Sequence, residues 1–456
     1  MGAPGVADVV RPGIVVAPRR LPVLGHLLSL LRDPMGFMAS LSAHGDLVAI
    51  GLGPSTAIVV CDPALTQEML RRDRVFDKGG PQFDSGRALV GDGLALCPHA
   101  MHRRQRRLIQ PAFRPDRIAG YAPVMTQHVA EMVDSWRDGQ IVDVKSRLHT
   151  FTAGVIAATL FGQAISESDQ HRLLRDVETV FAGVVWQVLM PAWLRRWPVL
   201  GNRAVAEAAR ETRTILGALV AARRGEGVDR GDLFSALVFA RDRDGGRLSD
   251  TEIIDQVVTF FFAGTDTTAT VLAWALSLLD RHPEVVARLH TEVDSVLAGR
   301  PARHEDLARL PYTERVIAET LRLRPPAWLQ TRAVSEDTEL GGQPLPAGTT
   351  VIYSSYLIHH RPDLYPEPER FDPDRFDPAL TPPPRDAVLP FAAGARKCIG
   401  DTFAMTEAIL ALATIAARWD LHAVPGTDTR PTLAVVPQPR RLRMRVTART
   451  PETAAR

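Results

Sequence analysis

The stretch from about residue 250 to 281 reads as a single helix, and it sets the scale of everything around it. Ser249 and Glu252 form an S-x-x-E capping box at its start, and "RHP" at 281–283 ends it. At 1.5 Å per residue such a helix is ~45 Å long, enough to cross an entire domain. Its middle, "VVTFFFAGTDTTATVLAWALSLL", is apolar almost all round, so a membrane span has to be weighed. Asp266 lies at the centre, where an acid costs about 2.5–3.5 kcal/mol to insert. With no anchoring pattern at either end, a buried central helix is the better reading.

The rest of the chain is written in the same idiom. "PVMTQHVAEMVDSW" (123–136), "ARETRTILGALVAARR" (209–224) and "HPEVVARLHTEVDSVL" (282–297) carry apolar residues at helical spacing. Strand-like segments are few: 46–61, "TVIYSS" at 350–355, and the tail around "TLAVVP" and "LRMRVT". "GLGPST" at 51–56 lacks the third glycine of a dinucleotide fingerprint and reads as a hairpin turn. Loops fall at "RRGEGVDRGD" (223–232) and "FDPALTPPPRD" (376–386). No repeat or low-complexity linker divides the 456 residues. The expected plan is an extended lead-in over 1–21, with Pro12 and Pro18 in it and Pro22 just after, one helix-dominated domain over 22–446, and a tail over 447–456.

Charge and cysteine content exclude several functions. A net charge of +2 suits neither a nucleic-acid binder nor a polyanion receptor. Lysine occurs only at 78, 145 and 397, with no G-K-[ST], so a phosphate-cradling loop is absent. Cys61, Cys97 and Cys398 are too scattered for a disulfide framework or a zinc pair. A reducing, cytoplasmic compartment is expected, because the N-terminal residues show no secretory or membrane-spanning run.

Four fragments carry chemistry. "AGTDTT" (263–268) places Gly264, Asp266, Thr267 and Thr268 on one turn of the long helix. This is either a kink whose acid found a partner, or a groove where a hydroxyl positions oxygen and a carboxylate passes protons. "ETLR" (319–322) is an E-x-x-R pair of the kind that decorates many exposed helices. "FDPDRF" (371–376) supplies Arg375, which could complete a Glu319–Arg322–Arg375 network. Finally "PFAAGARKCIGD" (390–401) holds Cys398 in an F-x-x-G-x-R-x-C-x-G pattern just ahead of a helical stretch. A lone cysteine usually packs as a small hydrophobe; the alternative is a thiolate ligand at a helix N-terminus.

In this order the motifs resemble the cytochrome P450 superfamily of haem-thiolate monooxygenases, from about Pro22 to the 440s. The resemblance implies a mainly α fold, a large helical domain with a small β region. It implies haem b as cofactor, with Cys398 as the thiolate ligand of the iron. Gly394 and Gly400 are expected to let backbone amides approach the sulfur. By the same match Asp266 and Thr267 are the catalytic pair. His102 and Arg106 in "HRRQRR" (102–107), Arg332 and Arg396 face the haem propionates. That basic run also reads as a solvated face, since Arg103, Arg104 and Arg107 cannot all serve one haem. "CPHAMH" (97–102) only mimics a metal site. The chain departs from many bacterial relatives in Arg396, where His is frequent, and Ala392, where Gly or Ser is.

No reductase domain is expected within the chain, so electrons would come from a ferredoxin-type donor with its own reductase, the enzyme acting as a monomer with no membrane anchor. "FDKGGPQFDSGR" (76–87), "CPHAMHRRQRR" (97–107) and "YLIHHRPDLY" (356–365) look like actinobacterial sesquiterpene oxygenases of the pentalenene type. The resemblance places Phe262, Ala263, Trp328 and Val436 around an apolar substrate, with "FAGVVWQVLMPAWL" (181–194) as a lid. The expectation is oxidation of a sesquiterpene by O2 in secondary-metabolite, antibiotic-type biosynthesis. Alternatives are a fatty acid or macrolide substrate, or a haem-thiolate protein that is not a monooxygenase.

Overall fold

The computed structural model describes residues 14–79, 81–162, 202–432 and 434–449, with scattered positions between 163 and 201. Most of the lead-in (1–13), most of the tail (450–456) and, apart from Gly183, the expected lid lie outside the described residues. The helices before the middle of the chain are α1 (Leu27–Arg32), α2 (Pro34–Ser40), α3 (Pro63–Arg71), α4 (Pro81–Val90), α5 (His99–Ile109), α6 (Pro115–Asp134) and α7 (Val144–Phe161). After them come α8 (Asn202–Glu226), α9 (Leu233–Val238), α10 (Asp250–Leu279), α11 (Pro283–Leu297), α12 (Pro311–Leu323), α13 (Ser355–His359) and α14 (Asp401–Arg418). The chain is mainly helical with a small β component, and its contacts divide it into two compact units.

The first unit takes residues up to Gly80, Ala318–Cys398 and Pro431–Pro437. Its sheet joins β1 (Val15–Val16), β2 (Leu47–Leu52), β3 (Ser55–Val60), β9 (Thr350–Tyr353), β6 (Gln330–Val334) and β4 (Phe76–Asp77), in that order. The 46–61 hairpin forms as expected, pairing Leu47 with Val60 and Leu52 with Ser55 across Gly53, whose φ is +66°. β2 and β3 are buried on both faces, which is why they read as continuous apolar runs rather than alternating ones. "TVIYSS" departs from expectation at its end. The strand stops at Tyr353 because the Ser354 hydroxyl caps α13, accepting from Leu357 N at 3.1 Å. A small hairpin, β7 (Thr338–Leu340) with β8 (Gln343–Leu345), turns through Gly341 and Gly342.

The second unit holds Pro81–Ile317, Ile399–Arg430 and Gln438 onward, and is built around α10. The capping box is present in full: Glu252 N donates to Ser249 Oγ (3.2 Å) and Ser249 N to Glu252 Oε2 (2.8 Å). α10 packs chiefly on α7 and α14, and α14 chiefly on α6. Most of α10 is buried inside the protein, which is the fate expected for its apolar run. A three-stranded sheet sets β13 (Arg443–Ala448) between β10 (Trp419–Ala423) and β5 (Ile141–Asp143).

Two boundaries differ from the sequence reading. α6 begins at Pro115 rather than near 123, since a proline at the first helical position is preorganised for a start, and Pro123 is carried inside the helix. "TLAVVP" is not a strand: β11 (Asp428–Pro431) ends before it and β12 (Pro439–Arg441) begins after it. Pro437 has no N–H to donate to a ladder, and Val435 is exposed.

Candidate functional site

The first unit holds the cysteine loop. Cys398 N donates to Phe391 O (2.9 Å), closing residues 391–398 into a tight turn. Gly394 sits at φ +69°, and a Cβ there would come within 2.3 Å of Leu70 O, the backbone end of α3. Ala392 also lies in the left-handed region, at φ +56°, a conformation that glycine adopts at less cost. Gly400 has an ordinary φ of −96°, and the nearest neighbour to a Cβ there would be the Phe113 ring at 3.9 Å. Of the three cysteines, Cys398 is exposed, whereas Cys61 and Cys97 are buried. Burial pushes the Cys61 thiol up to about 12, so it stays protonated and inert.

Behind this loop lies the network drawn from E-x-x-R. Arg322 donates through Nε and Nη2 to the two oxygens of the fully buried Glu319 (2.7 and 2.8 Å). Arg375 Nε stands 3.5 Å from Glu319 Oε1, so the three residues meet. The remaining Arg322 N–H groups reach His359 O, Pro368 O and Arg370 O. Sequence reading missed His359. Its Nε2 accepts from Leu389 N (3.0 Å), so Nδ1 carries the proton toward Arg322 O (3.2 Å). Complete burial and Arg322 hold that imidazole neutral, its pKa lowered to about 3. The network thus grips the chain one residue ahead of the cysteine loop.

Two basic residues of this unit were expected to face haem propionates. Arg396 is buried and holds Asp77 Oδ1 (2.6 Å) with Asp73 Oδ2 3.5 Å away. Arg332 is buried on β6, donating to Thr331 O (2.7 Å) with its guanidinium 5.3 Å from the Tyr353 ring centre. Trp328 is half-buried, its carbonyl accepting from Ser354 Oγ (2.7 Å), and Val436 is half-buried.

The second unit carries the acid. α10 is buried above and below, yet Ala263 is exposed and Phe262, Gly264, Asp266 and Thr267 are half-exposed. The helix runs unbroken through this turn, with Thr267 Oγ1 donating to Ala263 O. A hydroxyl bonded in this way presents its lone pairs, and so acts outward as an acceptor. His149 of α7, another residue that sequence reading missed, places Nε2 3.2 Å from Asp266 Oδ1. Glu407 of α14 is wholly buried, and burial pushes its carboxyl up to about 8, the Thr268 hydroxyl offsetting this only in part. On α5, His102 is buried and Arg106 half-buried, one turn apart. The basic run divides: Arg104 pairs with Glu252 (2.6 Å), while Arg103 and Arg107 stay exposed.

The family model of cytochrome P450 matches residues 16–444. The chain belongs to the cytochrome P450 family. Pentalenene oxygenase of Streptomyces avermitilis is 44% identical to it over 437 residues, covering 95% of this chain and 97% of that one. Cyclooctat-9-en-7-ol 5-monooxygenase of Streptomyces melanosporofaciens is 44% identical over 415 residues, 90% of each chain. Among solved structures, the heme domain of cytochrome P450DA superposes with a TM-score of 0.86 at 28% identity, over 96% of this chain and 98% of that one. As expected, this P450 stands close to Streptomyces oxygenases of the pentalenene and cyclooctatin type.

A haem bound through a cysteine thiolate is typical of cytochromes P450. The donor set of this P450 suits that group. Among the described residues no cluster of three or more His, Cys, Asp or Glu could hold a bare metal ion. A porphyrin brings four nitrogen ligands of its own and would ask the protein for little more than one further ligand, which the exposed Cys398 thiol could supply.

Proposed function

We propose that this cytochrome P450 is a monooxygenase that oxidises an apolar terpenoid, with a pentalenene-like sesquiterpene hydrocarbon as the first substrate to try. The observation that carries the reading is the Ala263–Thr267 turn, which opens one acid and one hydroxyl to a small molecule on a helix that is otherwise core. The Streptomyces relatives support the substrate class, since both are similar over nine-tenths of the chain or more and both names refer to oxidation of terpenoid-type molecules.

Haem, when bound through a thiolate, supplies the reductive activation of O2 and the insertion of one oxygen atom into a C–H bond. Cys398 would hold the iron through its thiolate. His102, Arg106, Arg332 and Arg396 provide the positive charge that the two propionates need. Asp266 carries a proton from solvent on its carboxylate, and Thr267 Oγ1 orients the end of that path. Phe262, Ala263, Trp328 and Val436 are the candidate contacts for an apolar substrate, which such side chains would bind chiefly by removing surface from water at roughly 25 cal/mol per Å². Electrons come from a ferredoxin-type donor with its reductase, and the protein works in the cytoplasm as a monomer.

Two measurements test this. The reduced, carbon monoxide-bound protein should show the strongly red-shifted Soret band of thiolate-ligated haem, lost in Cys398→Ser and kept in Cys61→Ser and Cys97→Ser. Pentalenene-like hydrocarbons should shift the ferric haem to high spin and, with donor and reductase, yield an alcohol. A panel of terpenes without effect, beside a fatty acid or macrolide that does shift the spin state, would overturn the substrate class while leaving the monooxygenase.

A further inference from the structure

We propose that His149 is the positioning residue for Asp266, holding its carboxylate in place and renewing its proton from solvent; this rests on the reading of Asp266 as the proton-carrying acid. The placement follows from how α7 meets α10. Residues 149, 152 and 156 form one stripe of α7, at i, i+3 and i+7. They face three consecutive residues of α10. His149 Nε2 lies 3.2 Å from Asp266 Oδ1. Thr152 Oγ1 donates to Thr265 O (2.8 Å), a side-chain bond onto the backbone of the facing helix. Gly264 leaves room for Ile156, whose Cδ1 and Cγ1 would stand only 3.0 Å from a Cβ. Close approach at 264, a hydrogen bond at 265 and the imidazole at 266 therefore act on a single turn.

That geometry gives the carboxylate a definite arrangement. A carboxylate has two oxygens, and engaging Oδ1 with the imidazole leaves Oδ2 for a second partner. About a third of each side chain is exposed, 34% for His149 and 30% for Asp266, so water reaches the pair. The step balances simply. The imidazolium gives the proton on Nε2 to Asp266 Oδ1, the imidazole becomes neutral, and water returns a proton to the ring. A histidine suits this because its ordinary pKa, about 6.5, lets it hold or release a proton near neutrality. The plain alternative is a half-exposed ion pair that merely helps two helices pack, worth little in such surroundings.

The test uses the haem-loaded protein with donor and reductase, comparing His149→Leu, His149→Gln, Asp266→Asn and the double variant His149→Leu/Asp266→Asn. His149→Leu should lower kcat roughly tenfold, less than the roughly 10²–10⁴-fold typical of a group that itself passes the proton in the reaction, with KM and the substrate-induced spin shift changed less than about twofold. His149→Gln, which keeps an N–H donor, should recover much of that loss. The double variant should be no slower than Asp266→Asn alone, because residues acting as a unit are non-additive. A readout independent of turnover is the ring-carbon resonance of labelled His149 in the diamagnetic reduced carbon monoxide complex. Its titration midpoint should fall in Asp266→Asn, where the negative charge is gone. An unmoved midpoint, or a His149→Leu variant that folds, shows the thiolate Soret band and turns over normally while Asp266→Asn is slow, overturns the proposal for His149 alone. An Asp266→Asn variant with unchanged kcat overturns the reading of Asp266, and this proposal with it.

Discussion

Gly394 and Thr267 show how much rests on single side chains. At Gly394 a methyl group would have to occupy space 2.3 Å from Leu70 O at a φ of +69°, so Gly394→Ala must move either the cysteine loop or the end of α3. The left-handed conformation alone costs roughly 1–2 kcal/mol for a residue with a Cβ. Gly394→Ala should therefore lower the thermal midpoint and the ratio of haem to protein absorbance, while Gly400→Ala, which meets nothing closer than 3.9 Å, should alter neither. Thr267→Ala removes a hydroxyl that is now engaged with Ala263 O. On the proposed reading of Thr267, the proton path then loses its last oriented member. The variant should consume reductant at a similar rate but release more hydrogen peroxide per product, measured by peroxide assay against product yield. Unchanged coupling would move the role to Thr268.

Helices α10 and α14 raise a different matter, the cost of polar groups inside a helical core. Glu407 is pushed up to about 8 by burial, so in the folded protein it is protonated at neutral pH. In the unfolded chain it ionises near 4.5, its ordinary value. Between those values the unfolded chain binds fewer protons than the native state, and stability falls as pH rises. The contribution is present in full below about 4.5 and lost as pH climbs through about 8. Glu407→Gln, neutral at every pH, should thus gain on the parent steadily from pH 5 to pH 8, read as the difference in thermal midpoint. A difference that stays constant over that range would mean that Glu407 is ionised in the fold. The ends of α10 could be read from Ser249, Glu252 and Pro283, because caps and breakers are local chemistry. The start of α6 could not, because Pro115 and Pro123 are both permissible starts and only the packed helix chooses.

Across the chain as a whole, each compact unit is assembled from separated stretches of sequence, and the proposed function adds the need for a surface that an electron donor can meet. The division of the basic run on α5 matters here. Arg104 is tied to Glu252, whereas Arg103 and Arg107 are exposed, and in the proposed function they would steer an acidic iron–sulfur donor. Arg103→Glu or Arg107→Glu should slow reduction by the donor in stopped-flow experiments and flatten its salt dependence. The screening length falls from ~10 Å at 0.1 M to ~3 Å at 1 M, so the parent rate should drop steeply over that range. Substrate affinity should stay as it was; an equal loss of substrate binding would mean damage to the pocket rather than to docking.

The amino-acid order was enough to identify the family, the long buried helix, the β2–β3 hairpin and the meeting of Glu319, Arg322 and Arg375. Those features are signalled by spacing, by caps and by short motifs that follow one another in a recognisable order. It gave no sign of His149 beside Asp266, of His359 bridging Arg322 to Leu389, or of which arginine on α5 would be spent on Glu252. Such pairings join positions far apart along the chain, as Thr152 and Thr265 do across 113 positions. Whether a histidine meets an acid then depends on how closely two helices approach and on which faces they turn to each other. That is set by packing, here by an absent Cβ at Gly264 against Ile156, and no local pattern in either segment records it.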